Sequence, residues 1–142
     1  MRYLCSGGRF FNEIRAVENV VDSFDCVFDS AIHGACPKGA DKHVDDRAKT
    51  WNIETHRFPA RDSDGWPQAG PLRNQRMLDE GKPDFAYFFW DGQSPGTFDC
   101  LVRVLKARIP HEVITQTGCK AAVSEGYLRA IDKAFGKQRS LF

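Results

Sequence analysis

The stretch Asp84-Phe-Ala-Tyr-Phe-Phe-Trp90 is the most hydrophobic run in the chain, and it decides the fold class. A short apolar run of this kind, rich in aromatic residues, is typical of a strand that is buried on both faces of a parallel sheet. A glycine-containing loop over residues 91–97 follows it, and apolar residues then recur at helical spacing up to Ala107. The sequence therefore predicts a central strand, a loop and a helix, which is the repeating unit of an α/β domain.

The same alternation of short apolar runs and amphipathic stretches continues on both sides of this unit. Further strands are predicted over residues 3–5, 26–32, 53–58 and 111–115. Helices are predicted over residues 11–24, 39–51, 73–80 and 127–135, and a loop over residues 59–72. Together these elements predict a Rossmann-like three-layer α/β sandwich of about five mainly parallel strands, with an appended C-terminal helix and tail.

The composition is that of an ordinary globular protein, and it excludes several classes of function. The 142 residues carry 20 basic and 19 acidic side chains, so no overall basic excess indicates nucleic-acid binding. No apolar run approaches the roughly 20 residues of a membrane span, and no membrane partner is expected. The five cysteines are scattered without a C-x-x-C pair, so no disulfide, metal site or cofactor is predicted. No targeting segment is recognised, and a cytoplasmic location is therefore expected.

Three predicted strands end in glycine-containing loops that lead into helices. These loops cover residues 6–9, 33–41 and 91–97. The carboxyl ends of parallel strands meet at one edge of a sheet, where ligands bind in open α/β folds. Glycines let the backbone approach a phosphate, and the free amides of a following helix donate hydrogen bonds to it. The three loops together predict a phosphate-binding site, although any one of them alone is also explained by plain turn chemistry.

Four ordered motifs occur together between residues 1 and 115. They are Gly7-Gly8-Arg9, His33-Gly34-x-x-x-x-Gly39-Ala40-Asp41, Ala69-Gly70-Pro71-Leu72-Arg73-Asn74-x-x-Met77 and Phe89-Trp90-Asp91-Gly92-x-Ser94-x-Gly96-Thr97. In this order the motifs resemble the YspA-like branch of the SLOG superfamily, a Rossmann-like group related to the LOG phosphoribohydrolases and the DprA proteins. The resemblance implies a nucleotide-binding domain, which we assign to residues 1–118. The residue pattern predicts a C-terminal helix and flexible tail over residues 119–142. The resemblance also implies a nucleotide or nucleotide-derived ligand, and relatives often form homo-oligomers.

Binding of a phosphorylated nucleoside-type ligand, for sensing or sequestration, is the function that the loops and the resemblance predict. The expected ligand-binding residues are Gly7, Gly8, Arg9, His33, Gly34, Gly39, Asp41, Gly70, Arg73, Asn74, Asp91, Gly92, Ser94, Gly96 and Thr97. Arg9 is expected to bind phosphate by its charge, and Thr97 to cap the following helix. Asp41 is expected either to bind a ribose hydroxyl or to serve as a first-turn acid of its helix. His33 is either a ligand residue or a core histidine satisfied by the backbone.

A nucleotide N-glycosidase is the alternative function. LOG enzymes, which cleave the bond between a base and ribose 5′-monophosphate, combine an arginine with a Pro-Gly-Gly-x-Gly-Thr-x-x-Glu motif. Arg73, which is expected to open a short helix after a Gly-Pro turn, matches the arginine, whereas Cys100 stands in place of the glutamate. Asp99 and Asp91 are the other carboxylates in this region. If the protein is an enzyme, Arg73, Asp99 and Asp91 are therefore the catalytic candidates.

The last five residues form a separate motif. Gln138-Arg-Ser-Leu-Phe142 resembles the bacterial sliding-clamp-binding peptide, in which Gln138, Leu141 and Phe142 contact the clamp. This resemblance makes a replication-associated protein the third hypothesis, with the sliding clamp as its partner. The alternative is that Leu141 and Phe142 fold back onto the last helix.

Overall fold

Strands and helices alternate along the computed structural model, which describes residues 1–136. The strands are β1 (Arg2–Gly7), β2 (Ser30–His33), β3 (Glu54–Arg57), β4 (Phe85–Trp90) and β5 (His111–Thr115). The helices are α1 (Ile14–Asp22), α2 (Ala40–Thr50), α3 (Ala69–Asp79), α4 (Pro95–Lys106) and α5 (Lys120–Phe135), with a 3₁₀ turn at Asp62–Asp64. This alternation confirms the predicted α/β class.

The strands form one sheet in the order β3-β2-β1-β4-β5, and every neighbouring pair is parallel. The chain runs outward from β1 through β2 to β3, and then crosses back to place β4 on the other side of β1. Gly7 at the end of β1 lies opposite Phe89 near the end of β4. In open α/β sheets, such a reversal of strand order leaves a crevice at the carboxyl ends of the strands. The crevice of this sheet lies between the loops that follow β1 and β4.

Helices cover both faces of the sheet and produce the expected three layers. α1 and α2 pack on one face, where Val17 and Val44 are fully buried in the same cluster as Phe89. α3, α4 and α5 pack on the other face, against Phe88 and its neighbours. Full burial of a phenylalanine contributes about 1.5–3 kcal/mol, so β4 supports both cores. This confirms the predicted Rossmann-like sandwich, and the strand predicted over residues 84–90 is an interior strand of the sheet at Phe85–Trp90.

α5 belongs to the same core as α3 and α4. Val123 and Ala130 are buried in the cluster that contains the inward side chains of α4. Gly126 lies against Trp90, because a Cβ at this glycine would be 2.6 Å from Cη2 of the indole ring. The helix begins at Lys120, several residues before its predicted start. None of the helices within residues 1–136 combines the length and apolar character needed to cross a membrane.

The strand predicted over residues 26–32 is wrong in its first half. Residues 26–28 form a turn, and Val27 and Phe28 are 75% and 78% exposed. The carboxylate of Asp25 accepts hydrogen bonds from the amides of both residues. Aspartates that bind nearby amides in this way favour turns over strands. The apolar side chains alone therefore gave a false strand signal.

The loop predicted over residues 59–72 is shorter than expected, because α3 already begins at Ala69. Gly70 and Pro71 lie in its first turn, where a proline is tolerated because an N–H group there has no helical acceptor. The prediction that Arg73 opens the helix is therefore wrong, since Arg73 lies in the second turn.

Candidate functional site

A cavity of about 600 Å³ lies at the carboxyl ends of β1 and β4, and we name it the β1–β4 cavity. Its lining residues are Ser6, Gly7, Gly8, Arg9, Phe10, Gly34, Cys36, Asp41, Arg73, Asn74, Met77, Asp91, Gln93, Ser94, Pro95, Gly96 and Thr97. The volume lies within the roughly 300–1,000 Å³ of small-molecule sites. The structure thus brings together most of the predicted ligand residues. Four of them are not in the lining: His33, Gly39, Gly70 and Gly92.

Glycines allow the loop after β1 to lie directly against the start of α2. A Cβ at Gly7 would be 2.5 Å from the Cβ of Ala40. Gly39 has a φ of +72°, and a Cβ there would be 2.5 Å from the Cα of Arg9. The carbonyl oxygen of Gly8 accepts a hydrogen bond from the amide of Ala40 (3.3 Å). Glycine at position 39 therefore lets the start of α2 pack against the loop that contains Arg9, and this contact holds the loop at the cavity.

The N-terminus of α4 supplies two backbone amides at the cavity. Ser94 is the N-cap residue, and Pro95 is the first helical residue. The first helical hydrogen bond runs from the amide of Phe98 to the carbonyl oxygen of Ser94 (3.1 Å), so the amides of Gly96 and Thr97 have no acceptor within the helix. The prediction that Thr97 caps the helix is wrong, because the helix begins two residues earlier. The two amides and the positive end of the helix dipole favour an anion here.

Asp91 holds the loop between β4 and α4 in shape. Its Oδ1 accepts hydrogen bonds from the amides of Gln93 (2.8 Å) and Ser94 (2.9 Å). Burial raises the pKa of this carboxyl group, but the hydrogen bonds outweigh burial and hold the pKa below its usual value. Gly92 has a φ of +83°, and a Cβ there would be 2.6 Å from the carbonyl oxygen of Ala122. Asp91 therefore shapes the cavity wall as a carboxylate, and Gly92 packs against α5.

Arg73 reaches the cavity from the second turn of α3 and is held by two hydrogen bonds. Its Nη1 donates to the carbonyl oxygen of Gly34 (2.6 Å), and its Nε donates to Oδ1 of Asn74 (3.0 Å). Gly34 leaves room for the side chain, because a Cβ there would be 2.7 Å from Cζ of Arg73 and 3.0 Å from Oδ2 of Asp41. The guanidinium and the Asp41 carboxyl group therefore come together beside Gly34.

Asp41 is a buried acid on the cavity wall. Its side chain is in the first turn of α2 and only 5% exposed, and its Oδ2 accepts a hydrogen bond from the amide of Cys36 (3.1 Å). Burial raises the pKa of the carboxyl group, and this outweighs the opposing effects of His33, Arg73 and the backbone amides. Asp41 therefore combines the first-turn position with a place in the cavity, where it can form a hydrogen bond with a ligand hydroxyl.

Asp99 is not in the cavity lining and lies where α3 packs against α4. Its Oδ2 accepts hydrogen bonds from Nε of Arg103 (2.8 Å) and from Nδ2 of Asn74 (3.0 Å). Asn74 is buried, and its Oδ1 accepts the hydrogen bond from Arg73. Asp99 thus fixes the orientation of the Asn74 amide and, through it, the position of Arg73.

Both ring nitrogens of His33 have partners outside the β1–β4 cavity. The amide of Ala35 donates to Nδ1 (2.9 Å), and Nε2 donates to Oδ1 of Asp45 (2.9 Å). The same carboxylate oxygen accepts a hydrogen bond from Nε of Arg57 (2.7 Å). This arrangement leaves neither ring nitrogen for a ligand. Gly70 also lies apart from the lining, on a side of α3 where a Cβ would meet no atom within 4 Å.

Several lining residues were missed by the sequence analysis: Ser6, Phe10, Cys36, Met77, Gln93 and Pro95. Phe10 is the most informative of them, because its ring is 75% exposed. Its neighbour Phe11 is buried, and the amide of Phe11 closes a turn on the carbonyl oxygen of Gly8 (3.1 Å). Adjacent side chains in a loop point in different directions, so the pair of aromatic residues after the glycine turn is a signal that could have identified Phe10.

The prediction of a clamp-binding tail concerns residues beyond 136. Gln138, Leu141 and Phe142, the predicted clamp-binding residues, lie outside the described residues. Within residues 1–136, no group of three or more histidine, cysteine, aspartate or glutamate side chains is placed to hold a metal ion. Comparisons of the chain with protein-family models, with curated proteins and with solved structures found no match, so a functional assignment rests on the geometry of the β1–β4 cavity.

Proposed function

We propose that the β1–β4 cavity binds a phosphorylated nucleoside-type ligand, in order to sense or to sequester it. The observation that carries this proposal is the convergence of two arginines and a helix N-terminus on one cavity. Arg9 is exposed, and its guanidinium forms no hydrogen bond or ion pair with any of residues 1–136. Arg73 donates through Nε and Nη1, which leaves Nη2 without an acceptor among the same residues.

The carboxyl groups of the cavity do not cancel this positive charge. Asp91 carries one negative charge, which its hydrogen bonds hold against the loop, whereas Arg9 and Arg73 carry two positive charges. Burial raises the pKa of Asp41, which makes its charged form less favourable. The balance favours an anion, and a phosphate group suits both arginine and free helix amides.

The remaining lining suits a nucleoside attached to that phosphate. The exposed ring of Phe10 offers a face on which a base stacks, and such stacking is worth about 1–3 kcal/mol per base. The carboxyl group of Asp41 offers a hydrogen-bond partner for a ribose hydroxyl. These features support a ligand that combines phosphate, sugar and base.

Calorimetric titration with the four ribonucleoside 5′-monophosphates tests the proposal. The wild type is expected to bind at least one of them. Arg73→Ala should weaken that binding roughly 10- to 100-fold, because a hydrogen bond to a charged group is worth about 1.5–3 kcal/mol. Arg15→Ala, which removes an exposed arginine from α1, is the matched control and should leave the affinity unchanged. Failure of all four nucleotides to bind, or equal affinities for the wild type and Arg73→Ala, contradicts the proposal.

Hydrolysis of the base–ribose bond is a second candidate function, and one observation favours it. Asp41 is a carboxyl group in the cavity whose pKa is raised by burial, and such a group can carry the proton that a leaving base takes up. Chromatography measures the release of free base, and this release should be lost in Asp41→Asn. It should persist in Asp46→Asn, which removes an exposed carboxylate from the same helix, outside the cavity lining. A wild type that binds nucleotides without releasing base contradicts this second candidate alone.

A further inference from the structure

A second pocket lies on the other side of the loop between β4 and α4. It measures about 400 Å³ and is bounded by this loop, α4 and α5. Gln93 and Pro95 line both this pocket and the β1–β4 cavity, so a single backbone segment separates the two. We call it the Arg129 pocket, and its other lining residues are Trp90, Gly92 and Phe98.

The Arg129 pocket combines positive charge with an aromatic ring. Arg129 is the only charged residue of its lining within residues 1–136, and this exposed side chain forms no ion pair or hydrogen bond there. Lys133 lies one turn further along α5, on the same side of the helix. Its Nζ is 5.6 Å from the centroid of the Phe98 ring. The pocket is therefore lined by one cation, and Lys133 places a second cation beside the Phe98 ring; among residues 1–136 no carboxylate lines it.

We infer that the Arg129 pocket binds the second half of a ligand whose first phosphate lies in the β1–β4 cavity. The inference rests on the proposed function of that cavity. The two cations suit a second phosphate, and the Phe98 ring suits a second base.

The two sites share one wall, which fits a short linkage. Gln93 and Pro95 line both of them. A pyrophosphate is a short linkage that keeps one phosphate at the α4 amides and supplies a second phosphate for Arg129. The ligand class is accordingly a dinucleotide in which two nucleosides are joined through a pyrophosphate.

Calorimetry with two related probes tests this inference. The first is the ribonucleoside 5′-monophosphate that binds most tightly among the four, and the second joins two copies of it through a pyrophosphate. The wild type should bind the dinucleotide about tenfold more tightly, which exceeds the twofold statistical advantage of a symmetrical ligand. Arg129→Ala should remove most of this preference and leave the affinity for the mononucleotide unchanged. Phe98→Leu, which removes the ring but keeps an apolar side chain, should also reduce the preference.

Lys106→Ala removes one positive charge from the opposite end of α4 and is the matched control, with both affinities unchanged. A wild type that binds the two probes within twofold of each other overturns the inference and leaves the proposed function intact. Equal losses of both affinities in Arg129→Ala also overturn it, because Arg129 then acts on the first half of the ligand or on the fold. Failure of all four mononucleotides to bind overturns the proposed function and this inference together.

Discussion

Arg73 lines the cavity because its neighbours leave it room and restrict its orientation. Gly34 has no side chain to occupy the space that the guanidinium fills, and its carbonyl oxygen accepts a hydrogen bond from Nη1. Asn74 accepts the hydrogen bond from Nε, and Asp99 keeps the Asn74 amide in the required orientation. Residues on α3, on α4 and after β2 thus determine the position of one cation.

Gly34→Ala should displace Arg73 and weaken nucleotide binding as strongly as the loss of the arginine, roughly 10- to 100-fold. Its stability cost should be about 1–3 kcal/mol, because the added methyl group overpacks the site. Gly70→Ala is the matched control in α3, where the added Cβ meets open space. It should leave affinity unchanged and change stability little, because the gain in helix propensity is offset by the restriction on a residue before proline. Calorimetry and urea unfolding measure both effects, and wild-type affinity in Gly34→Ala contradicts the assigned role.

Asp45 is expected to make the stability of the fold depend on pH. Burial raises the pKa of its carboxyl group, but hydrogen bonds from Arg57, His33 and Lys49 outweigh burial and hold the pKa well below its usual value. A carboxyl group of this kind stabilises the folded state above its unfolded pKa of about 3.9, and that stabilisation is lost as the pH falls through the folded value.

Asp45→Asn should therefore be less stable than the wild type at neutral pH, by roughly 1–3 kcal/mol. The difference in the free energy of unfolding should shrink as the pH falls below about 4, where the unfolded chain takes up the proton. Urea unfolding of both proteins across the acidic range measures this. A difference that stays constant with pH would show that the Asp45 charge contributes nothing.

At the scale of elements, the start of α2 rests on the loop that carries Arg9. Gly39→Ala should therefore destabilise the protein more than Gly118→Ala. Both glycines have positive φ angles, +72° and +83°, at which alanine costs about 1–2 kcal/mol. A Cβ at Gly118 meets no atom within 4 Å, whereas one at Gly39 lies 2.5 Å from the Cα of Arg9. This overpacking should add about 1–3 kcal/mol to the destabilisation by Gly39→Ala. Urea unfolding measures both variants, and equal free energies of unfolding would contradict the contact between Gly39 and Arg9.

The sequence predicted best those elements in which apolar side chains recur at a regular spacing and face the core. Phe85–Trp90 form a largely buried strand because their apolar side chains serve both faces of the sheet. The predictions failed where a local hydrogen bond or a proline decided the backbone. Asp25 binds the amides that follow it and prevents a strand at Val27 and Phe28. Pro71 lies in the first turn of α3, where the sequence predicted the end of a loop.

At the scale of the whole molecule, the strand order decides which loops meet. A parallel sheet brings the loops after its strands to one edge, and this much could be predicted from the sequence. The order β3-β2-β1-β4-β5 could not be predicted, and it places β4 beside β1 and β2 on the far side. Gly96 and Thr97 after β4 therefore lie beside Gly8 and Arg9 after β1. Gly34 after β2 also lines the cavity, whereas the ring of His33 bonds Asp45 and lies outside the lining.

Amide NMR tests most directly whether a phosphate binds at the N-terminus of α4 within the β1–β4 cavity. ¹⁵N-labelled protein is titrated with the nucleoside monophosphate that binds most tightly. The amide resonances of Gly96 and Thr97 should move most, because their N–H groups gain an acceptor, and those of Gly8 and Arg9 should move with them. The resonance of Gly118, in the loop after β5, should stay in place. Saturable shifts elsewhere that leave Gly96 and Thr97 unmoved would locate the ligand outside the cavity and contradict the assignment.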